Sequence, residues 1–174
     1  MSPVSIRPVR PDDIAAITRI YAHAVQHGTA SFELDPPDLK EMTRRLEALN
    51  ADGFPYLVAD VESEIVGYAY AGPYRARPAY RFTVEDSVYI APDAQGQGLG
   101  RLLLERLIVE SEARGYRQMI AVIGDSAQHA SIALHAALGF RMIGTFEAVG
   151  WKFDRWLDSV LMQRALGPGD STTP

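Results

Sequence analysis

The segment Gln95-Gly96-Gln97-Gly98-Leu99-Gly100-Arg101 constrains this chain more than any other. It follows a β-type run, Phe82 to Ile90, and opens a stretch in which Leu99, Leu103 and Leu107, with Leu104 and Ile108 on the adjoining stripe, recur at helical spacing before Gly115. A strand therefore turns directly into a helix, whose first N–H groups lack intrahelical partners and sit at the positive end of the helix dipole. Such a junction binds anions, and glycines let a phosphate reach N–H groups that a side chain would hold off. Two nucleotide motifs are excluded. The third glycine comes too early for G-x-G-x-x-G, and Arg101-Leu102 stands where a P-loop needs Lys followed by Ser or Thr. A glycine cluster at a strand end also serves as a plain tight turn, so the phosphate reading needs support elsewhere in the chain.

The pattern around the turn predicts a strand at Ser5–Arg10 and a helix capped by Pro11-Asp12-Asp13, with Ile14, Ile17, Ile20, Tyr21 and Val25 on one face. A loop, Gly28–Pro37, leads to a second helix from Asp38, striped by Leu39, Met42, Leu46 and Leu49 and ended by Gly53. Tyr56–Val61 and Ile65–Gly72 read as a hairpin turned through Glu62-Ser63-Glu64, and the loop Gly72–Arg81 precedes the strand Phe82–Ile90. Beyond the glycine turn and its helix, a strand at Tyr116–Ile123 is apolar enough to be covered on both faces, a helix runs from about Ala127 to Leu138, and strands follow at Phe140–Val149 and Asp154–Met162. This order predicts a three-layer α/β domain around a mixed sheet. With 174 residues and 47% hydrophobic content the expectation is a single domain over residues 1–166, and Gly167–Pro174 reads as a disordered polar tail.

Charge and composition narrow the function. A formal charge of -5 gives no electrostatic reason to bind nucleic acid. No apolar run reaches membrane length, and Met1–Asp13 lacks the apolar core of a signal peptide, so the expectation is a soluble, cytoplasmic protein without a membrane partner. Cysteine is absent, which removes thiolate metal sites and cysteine nucleophiles. His23 and His27 have the spacing of a metal pair, but no Glu follows His23; with His129 they read as structural or surface residues, and no metal is expected.

Gln-x-x-Gly-x-Gly between a strand and an amphipathic helix resembles the acyl-CoA pyrophosphate motif of the GNAT N-acetyltransferase superfamily. The resemblance continues through Ala71–Tyr80, Thr83–Ile90, Ala121–Gly124, Leu134–Phe140 and Lys152–Asp158, which are similar to segments of the phosphinothricin and methionine sulfoximine (methionine sulfone) N-acetyltransferases and span almost the whole chain in order. It implies the three-layer GNAT fold, a mixed, mostly antiparallel sheet of about seven strands flanked by about four helices. It also implies acetyl-CoA as co-substrate, bound at Gln95, Gly96, Gln97, Gly98, Leu99, Gly100 and Arg101.

Acetyl transfer to an amine needs a nitrogen free of its proton, and an α-ammonium is largely protonated at neutral pH. Strand alternation places Glu85, Ser87 and Tyr89 on one face, opposite Val84, Val88 and Ile90, with Asp86 on that second face unless a bulge intervenes. The resemblance makes Glu85 the residue that accepts the ammonium proton; by itself it also reads as a solvated strand carboxylate. His135 has a near-neutral pKa suited to giving the CoA thiolate a proton or a hydrogen bond, and the resemblance places it where many GNAT enzymes carry tyrosine, although a packing role fits the residue alone. The resemblance further implies that backbone N–H groups of Val88, Tyr89 and Ile90 meet the carbonyl oxygen and pantetheine, and that Ser131 and Gln128 contact CoA, Gln128 replacing the family's Asn. Arg75, Arg77 and Tyr80 crowd the loop before Glu85 and offer forked donors to a carboxylate or an oxidised phosphorus or sulfur group. With Phe32, Glu85 and Ser87 they form the implied acceptor pocket. Trp151, Phe153 and Trp156 indicate core or interface, and related enzymes dimerise through this region.

The leading expectation is direct acetyl transfer, in a ternary complex, from acetyl-CoA to the α-amine of a small amino acid or analogue such as phosphinothricin, methionine sulfoximine or methionine sulfone, by a homodimer. Direct attack follows from the lack of a cysteine to carry the acyl group. The alternatives are the same chemistry on an arylamine, a polyamine or a peptide N-terminus, and a non-catalytic acyl-CoA sensor. The paired arginines argue against a polyamine, and the presence of both Glu85 and His135 argues against the sensor.

Overall fold

Polar side chains near the chain start fix where the first helix begins. In the computed structural model, which describes residues 4–174, β1 (Val4–Pro8) passes through a short turn into α1 (Ile14–His27), and the Asp13 carboxylate accepts from the Arg10 N–H at 2.7 Å. Arg7 clasps the same carboxylate at 2.8 and 2.9 Å and reaches Asp60 at 3.0 Å, which holds Asp13 below the usual carboxylate range and ties the helix start to the sheet. α2 (Leu39–Ala51) starts on Asp38, whose side chain accepts from the Glu41 N–H at 2.8 Å. The remaining elements are β2 (Tyr56–Val61), β3 (Glu64–Pro73), β4 (Thr83–Ile90), α3 (Leu99–Ala113), β5 (Gln118–Gly124), α4 (His129–Ala137), β6 (Arg141–Lys152) and β7 (Arg155–Ala165).

The strands form one seven-stranded sheet in the order β1-β2-β3-β4-β5-β7-β6, antiparallel throughout except where β4 meets β5. Alternation along each strand sends side chains to two separate cores. Leu57, Ala59, Ala69, Ala71 and Val84 pack under Leu103, Leu104, Leu107 and Ile108 of α3. From neighbouring positions, Tyr56, Val58 and Tyr68 pack under Ile17, Ile20 and Val25 of α1 and Met42 and Leu46 of α2. The result is the expected three-layer, mostly antiparallel α/β fold, with α1 and α2 on one face and α3 and α4 on the other. Among the described residues, no helix is long and apolar enough to cross a membrane.

The sheet is not continuous from edge to edge. β4 and β5 pair only from Thr83–Gln118 to Glu85–Ile120. Beyond that point β4 stays with β3 as far as Ile90, and β5 stays with β7 as far as Gly124, so the two halves of the sheet separate. This overturns the expectation that β5 is covered on both faces: Val122 is 39% exposed because it lies where the strands have parted.

Two further segments differ from the sequence reading. The β6–β7 hairpin is longer than predicted and turns at Phe153-Asp154, where both residues take left-handed backbone with φ of 53° and 54°. Gly167–Pro174, read as a disordered tail, has specific partners: Arg117 donates to the Gly169 carbonyl at 3.1 Å, Thr172 Oγ1 at 3.0 Å and the Thr173 carbonyl at 3.1 Å. A polar composition alone does not reveal an arginine elsewhere in the chain that takes up the backbone carbonyls.

Leu103 is fully buried beneath the middle strands and its side chain has no polar contact to lose. Leu103→Ala is expected to lower unfolding stability by about 3 kcal/mol, read as a reduced urea midpoint at unchanged slope.

Candidate active site

The parting of β4 from β5 opens a cleft of about 760 Å³ between them. Its walls are Glu85 to Ile90 on one side and Ala121 to Gly124 on the other; the glycine turn, the loop residues Ala30, Ser31 and Phe32, and Gln128 with Ser131, Leu134 and His135 of α4 complete the lining. Alternation along β4 decides which backbone groups face this space. The Thr83 carbonyl accepts from the Tyr74 N–H and the Ala91 N–H donates to the Val66 carbonyl, both toward β3, and no bulge interrupts the register between them. The residues in phase with Thr83 and Ala91 therefore turn N–H and C=O toward β3, while Val88 and Ile90 turn theirs to the open side, where no β5 ladder takes them. A ligand with amide and carbonyl groups can pair there as a strand would.

At the turn, Gly96 and Gly98 take left-handed backbone, φ +75° and +80°, and Gly98 is the residue immediately before α3. Gln95, Gly96, Gly98, Leu99, Gly100 and Arg101 all line the cleft; Gln97 does not, its amide donating instead to the Asp93 carbonyl at 3.3 Å. A diphosphate fits a helix end of this kind, and the free N–H groups of β4 continue the site inward.

Glu85 and Ser87 line the cleft on the face away from α3, as alternation predicts. Burial, with the Asp86 charge in second place, pushes the Glu85 carboxyl up to about 7. Asp86 falls on the other face with no bulge, and there it meets His135: Nε2 lies 2.9 Å from Asp86 Oδ2, while Nδ1 donates to the Ser131 carbonyl at 2.7 Å. Both ring nitrogens of His135 are thus engaged, and neither points freely into the cleft that the ring helps to wall. Burial works to lower the His135 pKa, but the hydrogen bond and charge of Asp86 and the Ser131 carbonyl outweigh it, so the net shift is upward.

Phe32 takes its place through its neighbours. A Cβ on Gly150 would lie 2.5 Å from the Phe32 ring, and one on Gly124 would lie 2.3 Å from the Thr29 carbonyl and 2.9 Å from the same ring. The two glycines form a slot for the ring at the ends of β5 and β6. The loop is tied down on every side: Ser31 Oγ lies 2.9 Å from the Tyr21 hydroxyl, the Ser31 carbonyl accepts from Lys152 Nζ at 2.8 Å, Thr29 Oγ1 accepts from Gln128 Nε2 at 3.0 Å, and Glu33 pairs with Arg45 at 2.7 Å. Burial lowers the Lys152 pKa, with the Glu33 charge opposing it.

Arg75, Arg77 and Tyr80 are not brought to the cleft lining. They lie on the loop before β4, with the Arg75 guanidinium 5.2 Å from the Tyr74 ring centre and 5.7 Å from that of Tyr80. The sequence reading also missed Asp86 as a partner of His135, and it missed Lys152, Gly124 and Gly150. A signal existed for Asp86, a carboxylate among apolar neighbours on a buried face, which has to find a partner. None existed for the others, whose relation to the loop depends on contacts distant in sequence. His23 and His27 lie ring against ring at 4.5 Å on α1, away from this site, and no group of residues able to hold a metal occurs among those described.

Since L side chains rarely adopt the Gly98 backbone, Gly98→Val is expected to strain the turn by about 1–3 kcal/mol. Calorimetric titration with acetyl-CoA is expected to show roughly tenfold weaker binding or worse, and unchanged affinity would refute the assignment of the turn to phosphate.

The comparisons with known proteins agree with this geometry. The acetyltransferase (GNAT) domain family matches residues 6–161. Phosphinothricin N-acetyltransferase of Alcaligenes faecalis is 57% identical over 98% of this chain and 86% of its own length. L-methionine sulfoximine/L-methionine sulfone acetyltransferase of Salmonella typhimurium is 43% identical over 94% of this chain and 95% of its own. The crystal structure of a GNAT superfamily phosphinothricin acetyltransferase from Sinorhizobium meliloti in complex with AcCoA superposes with a TM-score of 0.96 at 46% identity, covering 100% of this chain and 94% of that one. The chain belongs to the GNAT acetyltransferases and is an acetyl-CoA-dependent acetyltransferase.

Proposed function

We propose that this is a cytoplasmic N-acetyltransferase acting on the α-amine of a small amino acid or analogue, of the kind named for its relatives: phosphinothricin, methionine sulfoximine or methionine sulfone. One observation carries the reading. A carboxylate held near neutrality, Glu85, lies in the same cleft as a helix N-terminus built to take phosphate, so a proton acceptor and an acyl-carrier site open onto one space.

Acetyl-CoA supplies the acetyl group as an activated thioester. The N–H groups from Gly96 to Gly100 take its diphosphate, that of Arg101 being donated to the Gly98 carbonyl, and the unpaired N–H groups of Val88 and Ile90 hold its arm and face the acetyl carbonyl, where negative charge develops. Glu85 accepts the proton of the acceptor's ammonium, directly or through one water, leaving the nitrogen lone pair free to attack. The nitrogen sheds its second proton as the amide forms and the sulfur takes it up on leaving as the thiol, while His135, its own ring protons engaged by Ser131 and Asp86, offers positive charge in the cleft wall to the departing sulfur. Ser131 stays in this role beside the ligand, whereas the Gln128 amide is occupied by Thr29. Phe32 and Ser87 wall the acceptor end; Arg75, Arg77 and Tyr80 lie outside the lining and are assigned no contact with the acceptor. Holding both reactants in one cleft provides much of the rate.

Homodimerisation belongs to the same proposal. Phe146, Val149, Trp151, Phe153 and Trp156 are exposed on the β6–β7 hairpin, and β6 is an edge strand paired only with β7. A second copy of the chain laid against this edge would cover them.

The first test is CoA thiol release with methionine sulfoximine, methionine sulfone, phosphinothricin, an arylamine and a short peptide at matched concentration. Release with any of the first three and not with the last two is expected; release with the peptide or the arylamine alone would replace the amino-acid reading. A second test concerns the base. Because Glu85 must be ionised to act, kcat/KM is expected to rise with pH through about 7. Glu85→Gln should abolish this limb and reduce the rate about a hundredfold or more, with acetyl-CoA affinity retained. A third uses Trp156→Glu, for which sedimentation is expected to give a monomer where the parent chain gives a dimer.

A further inference from the structure

His135 and Asp86 form a pair that catalysis by Glu85 alone does not require. They come from α4 and β4, their side chains are 4% and 2% exposed, and they meet across the line where β4 leaves β5. Nδ1 lies 2.7 Å from a backbone carbonyl, which only accepts, so this nitrogen carries a proton. Nε2 then faces a carboxylate oxygen at 2.9 Å, a contact that is attractive only with a proton between the two. The charged arrangement, imidazolium against carboxylate, satisfies both nitrogens at once.

We propose that Asp86 is a positioning residue for acetyl transfer: its carboxylate holds the His135 ring doubly protonated in the cleft wall and sets a fixed negative charge one residue from Glu85. The proposal rests on the reading of Glu85 as base and His135 as the group beside the leaving sulfur. Three observations support it. The ring is clamped from both sides, with the edge of Phe140 packed against it at 5.0 Å between centres, so its orientation is fixed. The second oxygen, Asp86 Oδ1, is buried and accepts no hydrogen bond from the protein, so the His135 N–H is the one side-chain donor that the carboxylate meets. Among the described residues, Asp86 is the charge that acts on His135; Arg101 lines the same cleft, and β6, also packed against α4, carries Arg141, Glu147 and Lys152. β5, packed against α4, carries only uncharged side chains from Gln118 to Gly124, Ser131 contributes its carbonyl, and Tyr70 across on β3 is the other titratable group that interacts with Glu85. A single carboxylate thus acts in opposite directions on the two faces of one strand. It favours a proton on His135 and discourages the loss of one from Glu85.

The experiment is carried out on the full chain. Nitrogen-15 spectra of the imidazole groups, with His135 assigned by its loss in His135→Gln, are expected to show both ring nitrogens protonated at pH 7 in the parent protein; a neutral His135 ring would overturn the proposal without any Asp86 variant having to fold. In Asp86→Asn the ring is expected to titrate at lower pH, and the acid limb of kcat/KM is expected to move to lower pH, because Glu85 loses its like-charged neighbour. A lower plateau with the limb unmoved would mean that Asp86 only supports packing, and would refute the proposal. Failure of the underlying reading looks different. In that case Glu85→Gln keeps the limb and the rate, whatever Asp86→Asn does.

Discussion

The loss of pairing between β4 and β5 after Glu85 and Ile120 is the constraint on which the rest of the structure depends. A parallel ladder that continued would satisfy the N–H groups of Val88 and Ile90, bury Val122 and fill the space now lined by the glycine turn, α4 and the Phe32 loop. Because it stops, backbone hydrogen-bonding capacity is left on the wall of a cleft rather than inside a sheet. Each half of the sheet keeps its own antiparallel support, β3 for β4 and β7 for β5, so the opening is held by ladders that do not cross it.

β4 serves this opening from both faces. Its polar face carries Glu85 and Ser87 into the cleft, and its other face carries Asp86 to His135 between residues that pack under α3. Burying two carboxylates on adjacent residues costs free energy, and the Asp86 charge adds to burial in pushing the Glu85 carboxyl up. The histidine and the opening itself offset it, one by pairing with Asp86 and the other by leaving Glu85 partly accessible. A solvated pair at the same spacing would have ordinary acidities and little use at neutral pH.

Much of this was legible in the chain. The order of elements followed from periodicity, helix caps and glycine stops, and the side of β4 that carries Glu85 followed from its alternation alone. The glycine turn was visible because anion binding at a helix start is a local property, written in consecutive residues. What stayed hidden depended on register between distant segments. Nothing in the sequence of β5 shows that its partner leaves after Ile120, and nothing near His135 shows that Asp86 lies opposite. Lys152 falls between the two predicted strands, and nothing local to it shows that its ammonium donates to the Ser31 carbonyl. The arginines of the loop before β4 read as neighbours of Glu85 because they are close in sequence, yet a loop can carry its side chains away from the strand it enters, and Arg75 lies over two tyrosine rings instead.

The slot that seats Phe32 extends this point to how such an enzyme changes. Thr29 and Phe32 occupy the volume that any side chain at Gly124 or Gly150 would need, so those glycines decide where the ring stands in the cleft wall. A larger residue at Gly150 is tolerated only alongside a smaller residue than Phe32, whereas one at Gly124 also meets the Thr29 backbone carbonyl and needs the loop itself to move. Loop and slot are therefore inherited as one unit. A new acceptor shape would be reached through paired substitutions rather than through single steps.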